Sequence, residues 1–122
     1  MERLPYHYSV TMAKLPNPEN AIVEVRKLRD YCLSLDHPRG RHKARVFTSV
    51  LSLTADDAEE VREALLSAAL SEEANPAEED TYGKRYVLDF EMKTDVGTAT
   101  VRSGWIVRRG EDFPRFASCW VL

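Results

Sequence analysis

Apolar and polar positions divide the chain into two halves with different periodicities. In the first half the apolar residues recur every three or four positions, which is typical of helices that bury one face. This spacing predicts helices from about Val25 to Ser34, from Arg41 to Leu51 and from Ala55 to Leu70. The segment Thr54-Ala55-Asp56-Asp57 supports the third helix start, because a hydroxyl caps backbone N–H groups and carboxylates favour the positive helix end.

In the second half, β-branched and aromatic residues alternate with polar ones, as in half-buried strands. Three strands are predicted, over Tyr82 to Lys93, Thr98 to Arg108 and Phe113 to Leu122. The segments between them, Asp95-Val96-Gly97 and Arg109-Gly110-Glu111-Asp112, suit hairpin loops. The predicted fold class is therefore α+β, with N-terminal helices packed on one face of a C-terminal antiparallel β-meander.

Two segments lack a clear helix or strand pattern. Ser71 to Thr81 is polar and acidic and contains Asn75-Pro76, so we expect a loop or flap between the halves. In residues 1–14, Tyr6 and Tyr8 alternate with polar residues, which leaves a short strand and a mobile arm both open. The predicted organisation is an N-terminal arm or short strand at 1–14 and a single α+β domain at 15–122.

Charge is unevenly distributed along the chain. The net charge of −3 argues against coating nucleic acid or a membrane by bulk electrostatics, so any anion-binding surface must be local. Acidic residues concentrate in Asp56 to Asp80, whereas arginines concentrate in His37 to Arg45 and in Arg102 to Arg115. There is no charged leader before an apolar run and no segment of transmembrane length. We therefore expect a cytoplasmic protein without membrane contact.

The two cysteines, Cys32 and Cys119, lie too far apart in sequence for a disulfide framework or a zinc ribbon. Cys32 falls among apolar residues of a predicted helix and Cys119 on a predicted strand. Buried, reduced thiols are the expectation. The chain also lacks a Ser-His-Asp arrangement, metal-ligand spacing and a nucleotide fingerprint, so no metal and no cofactor are expected.

The most concentrated chemistry lies in His37 to Arg45, where six of nine side chains can carry positive charge. Imidazoles exchange protons near neutral pH, and nearby cations can stabilise charge on a phosphate. A helix that begins after Gly40 would add N–H groups aimed at the same anion. Alternatively, Pro38 and Gly40 shape an interhelix turn, His37 caps the previous helix, and the basic residues form a solvated face.

The strands offer a second set of anion-binding residues. Arginine grips phosphate in two places, and aromatic rings on strands can stack on bases. Alternatively, the aromatics form the core and the arginines pair with surface carboxylates. Strand serines mostly fill space, but Ser118 is a candidate to bind a phosphate oxygen. The arginines, aromatics and serines in question are Arg102, Arg108, Arg109, Arg115, Tyr82, Trp105, Trp120, Ser103 and Ser118.

Short segments spread from Lys27 to Trp120 also match a recognisable pattern. They are Lys27-Leu28-Arg29-Asp30-Tyr31-Cys32-Leu33, His37-Pro38-Arg39-Gly40, Lys43-Ala44-Arg45-Val46-Phe47, Tyr82-Gly83-Lys84-Arg85-Tyr86, Trp105-Ile106-Val107 and Pro114-Arg115-Phe116-Ala117-Ser118-Cys119-Trp120. Over roughly Leu15 to Leu122 the chain resembles an uncharacterised bacterial domain family with the patterns HPxGxxKAxxF and PRxxS/T. Its members are stand-alone cyanobacterial proteins and the C-terminal domains of polymorphic toxins.

The order of elements is also similar to that of the barnase, EndoU, colicin and RelE ribonucleases, in which helices precede a twisted antiparallel sheet that cleaves RNA without metal. This resemblance implies a catalytic role for His37 and Lys43 from the helical half and for Arg115 and Ser118 from the last strand. The chain has no Glu–His pair of the barnase kind at matching places, which leaves the general base open.

These observations together predict a metal-independent endoribonuclease, the toxin of a toxin–antitoxin or polymorphic-toxin system. His37 would be the general acid or base, Lys43 and Arg115 would stabilise the phosphate, and Ser118 would orient it. The expected partners are RNA and a cognate antitoxin or immunity protein. The residues expected to bind substrate are Arg39, Arg102, Tyr82, Trp105 and Trp120.

A non-enzymatic alternative stays open, in which the same basic pocket binds a partner protein or an anionic ligand. The slightly acidic character of the whole chain suits this interpretation better than general RNA binding. A homodimer through the last predicted strand is a further variant, because Trp120-Val121-Leu122 carries no charge that would block edge pairing.

Overall fold

The structure is a computed structural model that describes residues 13–122. The choice between an N-terminal strand and a mobile arm therefore falls almost wholly on residues outside this range. Within the range, Leu15 is buried in the core, and the Ala13 carbonyl accepts a hydrogen bond from the Ala74 N–H at 2.9 Å. The described part of the chain thus begins packed against the connection between the two halves.

The helical half contains three helices, as the periodicity predicts. Helix α1 consists of an α-helical turn and a π-helical segment that follows it directly, α2 is regular, and α3 follows a 3-10 turn. Their bounds are Val25–Lys27 and Leu28–Cys32 for α1, Arg41–Leu51 for α2, and Ala58–Ser71 for α3 after the turn Ala55–Asp57; a further 3-10 turn spans Pro18–Asn20. Thr54 caps the third start as expected, since its Oγ1 accepts from the Asp56 N–H and its own N–H donates to Asp57.

The β half is an antiparallel sheet of four strands in sequential order, which confirms the α+β fold class. The strands are β1 (Asn75–Asp80), β2 (Gly83–Lys93), β3 (Thr98–Arg108) and β4 (Arg115–Val121). Strand β1 corrects the prediction of a loop at Ser71 to Thr81. Its sequence is acidic, lacks alternation and contains Pro76, but an edge strand with almost every side chain in solvent tolerates all three features.

One face of the sheet carries the core. On β2 and β3 it presents Leu88 and Phe90 opposite Ser103 and Val101. The helices cover this face with their apolar stripes, and Trp105 packs edge-to-face on Phe116 with 5.7 Å between ring centroids. The helix residues buried in this core are Leu28 and Cys32 of α1, Ala44, Phe47 and Leu51 of α2, and Ala58, Val61, Leu65, Ala68 and Ala69 of α3.

Strand β4 does not alternate strictly. Gly104 pairs with Ser118 but Trp105 pairs with Phe116, so β4 holds one extra residue at this point. Such a bulge changes which side chains face the core. Phe116 and Cys119, three residues apart, are consequently both buried at 1% exposure, and Trp120 falls opposite Arg102.

The outer edge of β4 is covered where the strand starts. The Ile22 N–H donates to the Pro114 carbonyl at 3.0 Å, and the Phe116 N–H donates to the Ile22 carbonyl at 2.8 Å. Lys27 Nζ donates to the Phe116 carbonyl at 3.2 Å. The chain before α1 and α1 itself therefore flank this edge and bring the helical half to β4.

Among residues 13–122, no helix has the length and apolar character needed to cross a bilayer.

Candidate functional site

Three contacts bring the end of α1, the start of α2 and the second half of β4 together. The His37 ring lies edge-on to Tyr31 with 4.6 Å between centroids. Cys32 Sγ lies 3.9 Å from Ser118 Oγ, and Lys43 Nζ lies 4.2 Å from the centre of the Trp120 ring. We call this region the β4 junction and define it by His37, Gly40, Lys43, Ser118 and Trp120.

The three contacts involve residues that are close in sequence on each element. Tyr31 directly precedes Cys32 in α1, and Ser118 and Trp120 lie two residues apart on β4. Three of the four residues expected to be catalytic therefore contact α1 or β4 at the β4 junction: His37 through Tyr31, Lys43 through Trp120 and Ser118 through Cys32. His37 and Lys43 are only six residues apart in sequence, whereas the fold brings β4, with Ser118 and Trp120, to the helical half.

Gly40 allows the turn before α2 to approach α1 closely. A Cβ at this position would lie 2.5 Å from the Tyr31 carbonyl oxygen, closer than any real side chain comes. Gly40 is buried, and its backbone is in the ordinary right-handed helical region, with φ of −86°. Glycine is therefore needed for space and not for an unusual backbone angle. This requirement explains why a glycine stands within an otherwise basic segment.

His37 shapes the same turn with its side chain. Its Nδ1 accepts hydrogen bonds from the Arg39 N–H at 3.0 Å and the Gly40 N–H at 3.1 Å, and its carbonyl accepts from the Arg41 N–H at 2.9 Å. His37 thus caps the turn that leads into α2, and not the preceding helix. Because both donors occupy Nδ1, the neutral ring carries its proton on Nε2, which is the atom left to donate to a ligand.

Lys43 lies in the first turn of α2, where the helix dipole also favours an anion. Its ammonium group rests on the half-buried Trp120 ring, a contact typical of cations and indole rings. No carboxylate in residues 13–122 forms an ion pair with Lys43. Within the described range the charge is therefore positioned by an aromatic surface and not neutralised by an acid.

Arg115, the fourth residue expected to be catalytic, lies apart from the β4 junction. Its guanidinium donates two hydrogen bonds to Glu111, each of 2.9 Å, and lies 5.2 Å from the Phe113 ring centre. Arg115 and Trp120 pair with Ile106 and Arg102, which are four positions apart on β3, or about 13 Å along the strand. The hydrogen bonds from Arg115 lower the pKa of Glu111 and raise that of Arg115. Arg115 is thus held as an ion pair at the other end of the strand.

The residues expected to bind substrate are scattered over the molecule. Arg39 is exposed in the turn next to His37, and Trp120 belongs to the β4 junction. Arg102 pairs with Trp120 across the sheet but holds Asp89 by two 2.8 Å hydrogen bonds, which lower the pKa of Asp89. Tyr82 is 72% exposed and precedes Gly83, which pairs with Arg108. Trp120 pairs with Arg102, six residues from Arg108 on β3, so Tyr82 lies at the other end of the sheet.

Trp105 is a core residue. It is 1% exposed, and its indole N–H donates at 2.9 Å to Ser103 Oγ, which in turn donates at 2.7 Å to the Leu88 carbonyl. Ser103 is fully buried and satisfies the indole, as buried tryptophans require. The ring therefore has no exposed face on which a base can stack.

Tyr31 adjoins the β4 junction but is not among the candidate residues predicted from the sequence. It is 37% exposed at the end of α1 and forms one wall of the His37 position. The aromatic residue six positions before the histidine is the available signal, but it has meaning only once α1 is known to end beside the turn. The contact between Lys43 and Trp120 could not be predicted either, because these residues are distant in sequence.

An open cavity of about 550 Å³ lies at the opposite end of α2. It is formed by Leu51, Ser52 and the β2–β3 hairpin, together with the carboxylates of Asp57 and Asp95. With Glu60 the lining carries three carboxylates against the single ammonium group of Lys93, a balance that disfavours an anionic ligand. Among residues 13–122, no group of three or more His, Cys, Asp or Glu side chains is arranged to hold a metal ion.

Comparison with known proteins gives a family but no activity. No curated protein and no solved structure matches the chain. The family described as a domain of unknown function (DUF6883) matches residues 14–122, nearly the whole described range and close to the extent of the resemblance inferred from the motifs. The chain therefore belongs to the DUF6883 family, an uncharacterised domain.

Proposed function

We propose that the β4 junction binds a phosphate group of RNA and that the chain is a metal-independent endoribonuclease. The observation that carries the proposal is the position of Lys43 over Trp120, two residues from Ser118 on β4, with no carboxylate partner in residues 13–122. His37 lies six residues before Lys43 and keeps its Nε2 N–H for a ligand. An imidazole N–H, an ammonium group and a hydroxyl can each donate a hydrogen bond to phosphate oxygens. Such donors stabilise the negative charge that develops on these oxygens during phosphodiester cleavage.

In the proposed reaction the ribose 2′-oxygen attacks the adjacent phosphorus and the 5′-oxygen of the next nucleotide leaves. Lys43 stabilises the negative charge on the non-bridging oxygens, and Ser118 Oγ donates a hydrogen bond that orients the phosphate. His37 donates a hydrogen bond from Nε2 to a phosphate oxygen, because its Nδ1 is held by two backbone N–H groups, and the leaving 5′-oxygen takes a proton from solvent. Arg39, exposed beside His37, contacts the neighbouring phosphate.

The 2′-hydroxyl proton passes to solvent in this scheme, since His37 has no free lone pair in the capped state. Loss of a positioned general base removes a factor of about 10²–10⁴ in rate. We therefore expect a slow nuclease whose catalysis depends mainly on charge stabilisation. The proposed biological role is that of a toxin controlled by an antitoxin or immunity protein, which rests on the resemblance to polymorphic-toxin domains.

The test is cleavage of single-stranded RNA by the purified chain in EDTA, comparing wild type with His37→Asn and Lys43→Ala. Asparagine Oδ1 accepts the same two N–H bonds as His37 Nδ1 but offers nothing at the Nε2 position, so the turn is kept and the donor is lost. We expect both variants to lose most of the activity. Lys84→Ala is the matched control, because Lys84 lies over the Tyr86 ring, 5.6 Å from its centre, outside the β4 junction.

Cleavage by both variants at the wild-type rate would assign the activity to a contaminant and refute the proposal. Activity that requires a divalent cation would also contradict it.

The occupied Nδ1 of His37 favours a second candidate function, a binding module in which the β4 junction holds an anionic ligand or partner without cleaving it. Such a module needs the charge of Lys43 and the donors of Ser118 and His37 but no proton acceptor. Fluorescence anisotropy with a labelled RNA distinguishes the two functions. Binding of intact RNA that Lys43→Ala weakens, with no cleavage over hours, supports the module.

A further inference from the structure

The thiols of Cys32 and Cys119 are hydrogen-bonded to each other where α1 meets β4. Cys32 is 2% and Cys119 1% exposed, and both belong to the same core cluster. Cys32 Sγ is 3.9 Å from the hydroxyl of Ser118, the residue that precedes Cys119. The bulge in β4 is the cause of this pairing, because it turns Cys119 toward the core after Phe116. Two thiols distant in sequence therefore share one site.

The surroundings of the two thiols differ. The pKa of Cys32 is lowered to about 7, first by a hydrogen bond from the Cys119 thiol. The Cys119 backbone N–H, the Ser118 hydroxyl and the charge of Lys27 act in the same direction, whereas burial acts against them. The hydrogen bond to Cys32, together with burial and the charge that Cys32 carries, raises the pKa of Cys119. Of the two thiols, Cys32 is therefore the one that loses its proton more readily. In a pair of thiols the more acidic one is the better nucleophile, and its partner can resolve the sulfenic acid that forms.

We propose that Cys32 and Cys119 form a peroxide-oxidisable pair that closes a reversible disulfide between α1 and β4. The Cys32 thiolate attacks one peroxide oxygen, so that an S–O bond forms, the O–O bond breaks, and hydrogen peroxide leaves a sulfenic acid and water. The Cys119 sulfur then attacks the sulfenic sulfur, forms the S–S bond and displaces a second water. In total the two thiols lose two protons and two electrons, and one peroxide becomes two waters.

The disulfide would cross-link α1 to β4 beside Ser118, and so would fix one side of the β4 junction. In a reducing compartment the pair remains a dithiol, and a thiol reductant restores it after oxidation. The inference concerns the sulfur atoms alone and does not depend on RNA cleavage. A negative result with peroxide would therefore leave the ribonuclease proposal standing, and a chain without ribonuclease activity would leave the disulfide proposal standing.

The test is treatment of the folded wild-type chain with hydrogen peroxide, followed by alkylation in denaturant and peptide mapping. We expect an intact mass lower by two hydrogens, no alkylated cysteine, and a Cys32–Cys119 cross-linked peptide that dithiothreitol separates. Oxygen addition to Cys32 without a cross-link, a disulfide between two chains, or full resistance at a peroxide concentration that oxidises the unfolded chain would each overturn the proposal.

Two single variants assign the roles of the two sulfurs. In Cys119→Ser the resolving thiol is absent, so we expect a sulfenic acid at Cys32 that a dimedone probe labels. In Cys32→Ser we expect Cys119 to react at least about tenfold more slowly than Cys32 does in Cys119→Ser, because burial, which remains in this variant, raises the pKa of Cys119. Equal rates, or faster reaction of Cys119, would contradict the assignment. Circular dichroism checks that both variants are folded, and the wild-type peptide map stands independently of them.

Discussion

The two ends of β4 each present a cation beside an aromatic ring, but the cations differ in what else they touch. At the first end Arg115 lies over Phe113 and is bound by both oxygens of Glu111. At the other end Lys43 lies over Trp120 with no carboxylate partner in residues 13–122. The first cation already has its anion, whereas the second is positioned by a ring that cannot neutralise it.

This difference shows that a basic residue in a motif is not sufficient to form an anion site. Removing Glu111 from Arg115 to admit a phosphate would exchange one charge-assisted pair for another, with little net gain. Placing a phosphate beside Lys43 adds an interaction that is absent in the free protein. The Lys43 end of β4 is therefore where we place the ligand, and the Arg115 end is a structural ion pair.

The strongest test of this comparison is Lys43→Ala against Arg115→Ala. We expect Lys43→Ala to reduce RNA cleavage by about 10²–10³-fold, the cost of losing one group that stabilises transition-state charge. Arg115→Ala should leave the cleavage rate close to that of the wild type. The measurement is single-turnover cleavage of a labelled RNA, with thermal melting to confirm folding. Equal losses in both variants would mean that the two ends act together and would break the comparison.

Packing at the β4 junction gives the next largest effect. In Gly40→Ala the new methyl group meets the Tyr31 carbonyl at 2.5 Å, and backbone cannot move away as a flexible side chain would. We expect the free energy of unfolding to fall by about 1–3 kcal/mol, as overpacking commonly costs. Gly104→Ala is the control, because the nearest atom to its Cβ would be the Ser118 carbonyl oxygen at an ordinary 3.9 Å. Urea denaturation of both variants measures the difference; a neutral Gly40→Ala would mean that α1 and the turn are loosely joined.

Patterns within one element were readable from the sequence. The predicted bounds of α2, Arg41 to Leu51, agree with the structure, because its apolar stripe and the preceding Pro-Arg-Gly turn are local signals. Strand β1 was missed, because an exposed edge strand needs no apolar alternation. The register of β4 could not be read either, since the bulge after Phe116 leaves no local mark.

The β4 junction was predictable in part. The motif containing His37 and Lys43 marked one side of it, and the last strand supplied Ser118 and Trp120. Which arginine is neutralised depends on the partner that the fold places beside it, as it places Asp89 of β2 beside Arg102 of β3. The cap formed by His37 depends on the geometry of the turn. Contacts between elements distant in sequence are what the residue pattern does not contain.

A smaller effect separates the structural role of His37 from its proposed chemistry. His37→Ala removes the acceptor for the Arg39 and Gly40 N–H groups, and loss of such a cap costs about 1 kcal/mol. His37→Asn should retain most of that stability while losing the donor at Nε2. Thermal and urea unfolding of the two variants test this difference. A wild-type stability in His37→Ala would show that the cap contributes nothing, and would leave His37 with a chemical role alone.

The smallest expected effect is the pH dependence of the stability that the ion pair between Arg115 and Glu111 contributes. Hydrogen bonding by Arg115, with its charge and that of Arg108, holds the pKa of Glu111 below its ordinary value of 4.5. Because the folded-state pKa is depressed, the ion pair contributes its full stability above about pH 4.5 and loses it as the pH falls through the folded-state value. The melting temperature of the wild type should therefore exceed that of Glu111→Gln near neutral pH.

The difference should shrink below pH 4.5 and also with added salt, since the pair is partly exposed. Glu78→Gln is the matched control, because Glu78 is exposed on β1 and forms no ion pair within residues 13–122. If Glu111→Gln and wild type melt in parallel from about pH 7 to about pH 3, the Arg115 ion pair does not stabilise the fold. Arg115 would then be as available to a ligand as Lys43, and the two ends of β4 would be equivalent.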